Sequence, residues 1–378
     1  MKSNYKRLGD YIQAVNRRNV NCDITDLRGL SLTKEFRKST SNIVGTDMST
    51  YKIMHKYDLA ANFMGLGVLV DKAAIVLKMD ETPNIVSGAY PVFKVKNENE
   101  LHPEYLMMWL IRSEFDRFCV FKSDRGIRGG FDWNDLLETE LPIPSVTKQR
   151  EIVKEYNVIQ NRIALNQQLI QKLEETAQAI YMNVIEENQC EEYSLKDLCS
   201  FQEGYVNPSQ EYTKYFDGNV KWLRANDVNG GFILNTSRKL TEEGFNSAGT
   251  SALLFKPQTI VITKSGTIGR LGILCDYMCG NRAVINIKPK EDDNLPLIFF
   301  FLKSKYNELV DMAVGSAQAN LYVPVLASLR INLPDKKDIS RFNLATKSLL
   351  EFMKFKTIEN QKLTELKELL LSKLATVV

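Results

Sequence analysis

The chain repeats its own apolar pattern about half a chain length later. Residues 129–144 read GGFDWNDLLETELPIP and residues 319–334 read ANLYVPVLASLRINLP, with large apolar residues at the same positions of both segments. Three more pairs of segments match in the same order: RLGDYI (7–12) with SLKDLC (194–199), PVFKVK (91–96) with AVINIK (283–288), and HPEYLMMWLIRSEF (102–115) with LPLIFFFLKSKY (295–306). A repeat of this length indicates a duplicated domain rather than a solenoid of short units.

Each repeat consists of a mostly β segment followed by one long helix. Short runs of β-branched and aromatic residues, such as TIVITK (259–264) and VINIK (284–288), lie between Gly, Asn and Asp turn signals. After each β segment the pattern changes to an uninterrupted helical spacing. This predicts an α+β chain with mostly β domains at 1–144 and 190–334, each followed by a helical segment, at 145–189 and 335–378.

Apolar residues in both helical segments recur at intervals of three and four, which keeps one seam facing a partner helix for about 50 Å. The first helix leaves domain one and the second must return toward it, so the pair should form an antiparallel coiled coil with pseudo-two-fold symmetry. Asn166 is predicted opposite Glu359, near Lys356, and its replacement by Leu is expected to raise thermal stability while loosening the register. The predicted seam comprises Ile152, Tyr156, Ile159, Ile163, Asn166, Ile170, Leu173, Ala177, Ile180, Ala345, Leu349, Phe352, Leu363, Leu366 and Leu370.

Composition is that of a globular protein of about two domains. Among 378 residues, 49 Lys and Arg nearly balance 46 Asp and Glu, so a nucleic-acid surface would depend on local clustering of cations. No segment approaches about 18 uncharged apolar residues and no secretory signal is evident, which predicts a cytoplasmic protein. The six scattered cysteines are expected to be reduced, and the close pair Cys275 and Cys279 lacks the further ligands of a zinc site.

The sequence lacks the motifs of the common DNA-modifying chemistries. A methyltransferase that acts on a base amino group needs Asn or Asp followed by Pro-Pro and an aromatic residue, together with a Gly-rich cofactor loop, and neither occurs. TKSGTIGR (263–270) places its lysine before the glycines, unlike a P-loop. Two histidines are too few for a metal cluster. We therefore expect no catalysis, no metal and no bound cofactor in this chain.

Several loops combine small residues with side chains that suit DNA. TKSGTIGRLGI (263–273) offers phosphate donors, GSAQANLY (315–322) offers amides that can bridge adenine edges, and SDRGIRGGF (123–131) offers arginines that can read guanine. The alternative is that these loops are tight turns with solvated polar residues. The candidate DNA-binding residues are Arg17, Arg37, Arg125, Arg128, Arg224, Lys264, Ser265, Thr267, Arg270, Gln318, Asn320 and Tyr322.

An ordered set of motifs in the second half resembles a target-recognition domain of the type I restriction-modification specificity subunit (HsdS). The motifs are EGYVNPSQEY (203–212), VKWLRANDVNGG (220–231), KSGTIGRLGI (264–273), NRAVINI (281–287) and GSAQANLYVPVLASLRINLP (315–334), followed by a long helix. The resemblance continues in the first half from VSGAYPVFKVKN (86–97) to LPIPSVTKQREIV (141–153). That half has residues 17–54 in place of the Gly204–Pro208 segment and resembles a different subtype of recognition domain.

The resemblance implies a non-catalytic subunit that reads double-stranded DNA. In that family two recognition domains each bind one half of an asymmetric, bipartite sequence, and the paired helices fix the gap between the halves. The implied partners are two methyltransferase subunits with S-adenosylmethionine and two motor-nuclease subunits with ATP and magnesium. The alternatives are an assembly scaffold that does not read DNA and a self-sufficient enzyme. Sequence enrichment from a randomised duplex separates a reader from a scaffold, and an assay of the chain alone tests for an enzyme.

Overall fold

The computed structural model describes residues 5–39, 45–124, 130–313 and 319–376. The chain divides into two compact units, which we call unit 1 (Met1–Arg162 with Leu363–Val378) and unit 2 (Ile163–Lys362). Each unit combines small sheets, short helices and parts of two long helices, so the fold is α+β, as the repeat pattern predicted. Within the four described ranges, no helix has both the length and the apolar character that crossing a membrane requires.

Unit 1 is built from short antiparallel strands and short helices. The strands are β1 (Tyr5–Arg7), β2 (Ile12–Ala14), β3 (Arg28–Leu30), β4 (Phe36–Lys38), β5 (Lys52–Met54), β6 (Leu59–Asn62), β7 (Ala74–Leu77), β8 (Asn84–Val86), β9 (Val92–Val95) and β10 (Glu140–Pro142). The helices are α1 (Pro103–Leu110), α2 (Ser113–Lys122), α3 (Trp133–Glu138) and the first part of α4 (Val146–Glu187). The main sheet has the order β2–β9–β6–β7, and further pairs are β1–β10, β3–β4 and β5–β8.

Unit 2 has the same kinds of element, and its described strands form two larger sheets and one two-stranded pair. Its strands are β11 (Cys190–Ser194), β12 (Cys199–Glu203), β13 (Phe216–Leu223), β14 (Phe232–Ile233), β15 (Lys239–Leu240), β16 (Leu254–Phe255), β17 (Ile260–Thr263), β18 (Leu271–Leu274), β19 (Met278–Gly280), β20 (Val284–Pro289) and β21 (Arg330–Pro334). Its helices are α5 (Leu195–Leu198), α6 (Glu242–Asn246), α7 (Leu295–Ser304), α8 (Tyr306–Asp311), α9 (Val323–Ser328) and most of α10 (Lys336–Lys373). The sheets have the orders β12–β20–β17–β18–β14 and β15–β13–β19–β16, with β11 paired to β21.

The duplication seen in the sequence is also present in the strand order. The order β2–β9–β6–β7 in unit 1 matches the order β12–β20–β17–β18 in unit 2. In unit 1 the hairpin β6–β7 pairs with β9 through β6, and in unit 2 the hairpin β17–β18 pairs with β20 through β17. In both units an apolar helix, α1 or α7, begins with a proline in its first turn, where the missing N–H removes no hydrogen bond. Both helices bury nearly all of their apolar side chains in the main core of their unit.

The long helices pack against each other within each unit. In unit 1 the start of α4, at Ile152 and Val153, shares a core with Leu371 of α10. In unit 2 the later part of α4, at Ala177, shares a core with Phe342 from the start of α10. The two helices are therefore antiparallel, as predicted. All nine predicted seam residues of α4, from Ile152 to Ile180, are buried or half-buried.

The predicted seam of α10 is wrong at alternate positions. Leu349, Leu363 and Leu370 are half-buried as expected, but Ala345, Phe352 and Leu366 are exposed. The inward positions between them are each one residue later in the chain. Buried and half-buried residues along α10 follow spacings of three and four: Ile339, Phe342, Thr346, Leu349, Met353, Lys356, Asn360, Leu363, Lys367 and Leu370.

The seam prediction for α10 fails because several inward positions carry polar side chains. These side chains can be buried because each has a hydrogen-bond partner. The Thr346 hydroxyl donates to the Phe342 carbonyl oxygen at 2.9 Å, so this buried residue leaves no unmet polar group. The Asn166 side-chain amide Nδ2 donates to Oδ1 of Asn360 at 2.9 Å. Asn166 thus bonds to Asn360 and not to the predicted Glu359, which pairs with Lys356 at 2.6 Å.

Candidate nucleic-acid interface

Four segments of unit 2 converge at one end of its main sheet. The Lys264 N–H donates to the Ala283 carbonyl oxygen at 2.8 Å, and the Leu321 N–H donates to the Lys264 carbonyl oxygen at 2.9 Å. The Gly204 N–H donates to the Val284 carbonyl oxygen at 3.0 Å. We call this set the unit 2 loop cluster; it comprises residues 203–207, 264–270, 281–283 and 320–322.

Lys264 is held in the loop cluster by an ion pair that sequence reasoning missed. Its Nζ lies 3.0 Å from Oε2 of Glu203, and both side chains are mostly buried. The Tyr205 hydroxyl donates to the same oxygen at 2.8 Å. Burial raises the pKa of Glu203, but the hydrogen bonds from Lys264 and Tyr205 and the Lys264 charge together lower it. Lys264 is therefore not an unengaged phosphate donor, and Glu203 adds an anionic acceptor that suits the amino group of cytosine.

Arg270 is more accessible than Lys264, the other cation of the turn between β17 and β18. Its side chain is exposed, and its Nη1 donates to the side-chain oxygen of Asn229 at 3.3 Å. Ser265 and Thr267 are half-buried on the same turn, where the Thr263 hydroxyl donates to the Thr267 carbonyl oxygen. This arrangement leaves the Arg270 guanidinium available to a phosphate or a base edge.

Arg224 extends the polar surface along β13. Its guanidinium lies 5.3 Å from the centre of the Trp222 ring, and its Nη2 donates to the Ser237 hydroxyl at 2.8 Å. The adjoining Leu223 carbonyl oxygen accepts from the Asn281 N–H at 2.9 Å, which connects β13 to the loop cluster. A second arginine, Arg238, was not predicted. It stacks at 4.2 Å from the centre of the Phe216 ring, so both guanidinium groups are fixed by aromatic neighbours.

The remaining candidates of unit 2 lie at the start of α9. Tyr322 is exposed at the residue that precedes this helix, and Asn320 is half-buried beside it. The structure thus brings Lys264, Ser265, Thr267, Asn320 and Tyr322 into one cluster. Contact of these residues with DNA stays a prediction. Gln318 lies outside the described residues, as do Arg125 and Arg128.

The two described candidates of unit 1 are engaged within the protein. Arg17 forms an ion pair with the buried carboxylate of Asp58, which also accepts from the His55 N–H at 2.7 Å. Arg37 lies exposed on β4, with its Nε at 3.4 Å from the Leu30 carbonyl oxygen. Arg17 therefore has a structural partner, which the sequence could not reveal because Asp58 is remote along the chain.

No group of three or more His, Cys, Asp and Glu side chains suited to a metal ion occurs among residues 5–39, 45–124, 130–313 and 319–376. The buried thiols of Cys119, Cys199 and Cys279 have raised pKa values, mainly because burial disfavours the thiolate. The side chains gathered at the loop cluster are donors and acceptors of hydrogen bonds with aromatic support. This chemistry suits the recognition of a polar, anionic polymer.

The unit 2 loop cluster lies in a part of the chain that is similar to known proteins. Residues 187–368 match the type I restriction modification DNA specificity domain. The specificity subunit of the HindI type I restriction enzyme of Haemophilus influenzae is 26% identical over 171 residues, which are 44% of this chain and 37% of that protein. The matched region therefore spans well under half of that relative. The crystal structure of a type I restriction-modification system S subunit from M. genitalium superposes with a TM-score of 0.54 at 12% identity, over 99% of this chain and 96% of that one.

Proposed function

We propose that this chain, which is similar to the specificity subunits of type I restriction-modification systems, is the DNA-reading subunit of such a system and is not itself catalytic. The observation that carries the proposal is that the family match at 187–368 contains the whole unit 2 loop cluster. The cluster offers cations for phosphates, with Arg270 exposed, and both acceptors and donors for base edges. A reader of duplex DNA needs this combination.

A bipartite target is the finer proposal. Units 1 and 2 have matching strand orders, but their corresponding loops carry different side chains. Two readers of one architecture and different loop chemistry should recognise two different half-sites. The paired helices α4 and α10 would set the gap between these half-sites, as the family resemblance implies.

The proposed partners are two methyltransferase subunits and two motor-nuclease subunits. In this proposal S-adenosylmethionine is bound by the methyltransferase subunits, and ATP and magnesium by the motor-nuclease subunits, all in the cytoplasm. A docking face for a partner is suggested by exposed apolar residues of α10. The Phe352 and Phe355 rings are stacked with centres 6.5 Å apart and planes 8° apart, and both are substantially exposed. Exposed aromatic pairs of this kind are enriched where proteins associate.

We expect the double substitution F352S/F355S to reduce methyltransferase recruitment about tenfold or more, since aromatic side chains dominate binding energy at interfaces. The stability of the chain should fall by only about 1 kcal/mol, because both rings are substantially exposed and lose mainly their contact with Nζ of Lys356, which lies 5.3 and 5.4 Å from the two ring centres. Affinity of the purified chain for the methyltransferase subunit, measured by calorimetry, checks this. The matched control is Leu253→Ser, which removes a similarly exposed apolar side chain outside the long helices. Equal binding by F352S/F355S and the control would reject the docking face.

The proposed function is tested by co-expression of this chain with its cognate methyltransferase, followed by genome-wide mapping of methylated bases. We expect one asymmetric motif made of two short sequences separated by a gap of unspecified bases. Methylation without any sequence preference would favour the scaffold alternative. Methylation by the purified chain alone, supplied with S-adenosylmethionine, would contradict its non-catalytic role.

A further inference from the structure

The β6–β7 hairpin of unit 1 occupies the same place in the fold as the hairpin of the unit 2 loop cluster. We call residues 63–73, which join β6 to β7, the unit 1 hairpin. In unit 2 the corresponding connection joins β17 to β18, and its first residue, Lys264, accepts a backbone hydrogen bond from Leu321. In unit 1 the Ala61 N–H donates to the Pro91 carbonyl oxygen at 3.0 Å, as the Lys264 N–H does to that of Ala283, and Pro91 matches Ala283 in the repeat. Farther along the same connection, Met64 forms a backbone bridge with Gly130, which lies in the segment that matches 319–334. The two hairpins are therefore structural counterparts.

The two counterparts differ in chemistry at their tips, although the unit 1 hairpin also has an exposed charged pair, Asp71 and Lys72, next to β7. The unit 2 hairpin carries Lys264, Ser265, Thr267 and Arg270, whereas the unit 1 hairpin reads FMGLGVLVDKA. Met64 is 52% exposed, Val68 49% and Leu69 69%. Three large aliphatic side chains together at the tip of one turn are costly to leave in water, and such exposed apolar groups mark contact surfaces.

The unit 1 hairpin is also fixed rather than loosely presented. Leu66, in the middle of the turn, is fully buried in the core of unit 1. The Gly65 carbonyl oxygen accepts from the Leu69 N–H at 2.7 Å, and the Gly67 N–H donates to the Val70 carbonyl oxygen at 2.8 Å. Both glycines have positive φ angles, +71° and +79°, which the tight turn requires. The exposed side chains are thus held in place before any ligand binds, so contact would cost little conformational entropy.

We propose that the unit 1 hairpin reads thymine in its half-site by packing Met64, Val68 and Leu69 against the C5-methyl groups in the major groove. The inference rests on the proposed function, because it assigns to this hairpin the DNA-facing position of its counterpart. Aliphatic side chains can neither donate nor accept hydrogen bonds. In the major groove, the C5-methyl of thymine is the apolar group that distinguishes an A·T pair from a G·C pair. A hydrophobic hairpin therefore selects for A·T pairs where the polar hairpin of unit 2 selects by hydrogen bonds.

The test uses the complex of this chain with its methyltransferase subunits and duplexes that carry the mapped target. Deoxyuridine replaces thymine in one half-site at a time, which removes the methyl group and leaves base pairing intact. We expect affinity to fall about fourfold for each contacted methyl in one half-site, the equivalent of one buried apolar carbon. In the triple variant M64S/V68S/L69S, binding should be weaker and should no longer respond to deoxyuridine. The single variant Leu69→Ser, at the most exposed position, gives a smaller effect of the same kind if the triple variant folds poorly.

The matched control is Met79→Ser. Met79 is 48% exposed, close to Met64, but it follows β7 at the end of the strand remote from the turn. This variant should keep the full response to deoxyuridine. The inference is overturned if wild-type affinity is indifferent to deoxyuridine in both half-sites, if both half-sites contain only G·C pairs, or if the triple variant keeps the response. If the hairpin instead inserts a side chain between base pairs, DNA bending should change while deoxyuridine has no effect on affinity. That result would also overturn the inference. Failure of the wild-type complex to prefer any sequence would instead reject the proposed function.

Discussion

Substitution of Gly204 by Ala is expected to destabilise unit 2 by about 3 kcal/mol, at the upper end of the cost of overpacking. A Cβ atom at this position would lie 2.1 Å from the Asn281 carbonyl oxygen and 2.5 Å from the Gly280 carbonyl carbon. Both are backbone atoms, so no side-chain rotation can relieve the clash. The segment must move away from β19 and β20, which breaks the hydrogen bond from the Gly204 N–H to the Val284 carbonyl oxygen.

The consequence for recognition should be larger than the loss of stability alone. Gly204 lies between Glu203, which pairs with Lys264, and Tyr205, which donates to Glu203. Displacement of this segment would therefore dismantle the unit 2 loop cluster, and we expect specific DNA affinity to fall at least tenfold. Urea unfolding measures the stability, and hydrogen exchange in peptides that cover 203–207 and 278–289 locates the change.

Gly266 provides the control for this substitution. A Cβ at Gly266 meets no atom within 4 Å, and its φ of +75° is the only obstacle, so Gly266→Ala should cost only about 1 kcal/mol. It should leave hydrogen exchange at 278–289 close to that of the wild type. Wild-type stability of Gly204→Ala would show that the close backbone approach at Asn281 does not exist in solution.

The sequence predicted the fold correctly wherever apolar residues alone determine which face of a strand or helix is buried. The repeat gave matched strand orders because buried strands such as β17 and β7 carry near-continuous aliphatic runs. The seam of α4 followed its Ile and Leu spacing. The seam of α10 did not, because Thr346 and Asn360 face inward and Phe352 faces outward. A rule based on hydrophobic periodicity cannot identify polar residues whose burial depends on a partner from another element.

The sequence identified loops that meet in the unit 2 loop cluster, but not the contacts that their side chains make. The loops at 263–273 and 315–322 were identified separately, and the backbone hydrogen bond from Leu321 to Lys264 joins their described residues. The ion pair of Lys264 with Glu203 joins residues remote in the chain, as does that of Arg17 with Asp58. Spacing along one sequence contains no information on such contacts, so single cations were overestimated as unengaged DNA ligands.

The hydrogen bond between Asn166 and Asn360 changes the stability expected for substitutions in the helix pair. Asn166 is 2% exposed, and its amide donates to Asn360 at 2.9 Å. Asn166→Leu alone removes the donor and deprives the Asn360 carbonyl oxygen of this bond in a poorly solvated place. That loss costs about 1–3 kcal/mol, and toward the upper end of this range it exceeds the gain of about 1.5 kcal/mol from burying a leucine. We therefore expect Asn166→Leu to lower stability by about 1 kcal/mol, opposite to the sequence-based expectation.

Replacing both asparagines should cost less than the two single substitutions added together. N166L/N360L removes the donor and the acceptor of the Asn166–Asn360 bond at once, so we expect a coupling of about 1–2 kcal/mol between the two positions. A double-mutant cycle by urea unfolding of the two single variants and the double variant measures this coupling. Gln168→Leu, an exposed change on the same helix, should stay within about 0.5 kcal/mol of the wild type. Additive single effects would show that the two side chains do not interact. A stabilised double variant that also admits slipped helix registers, detected by disulfide trapping, would mean that this polar pair specifies alignment at the expense of stability.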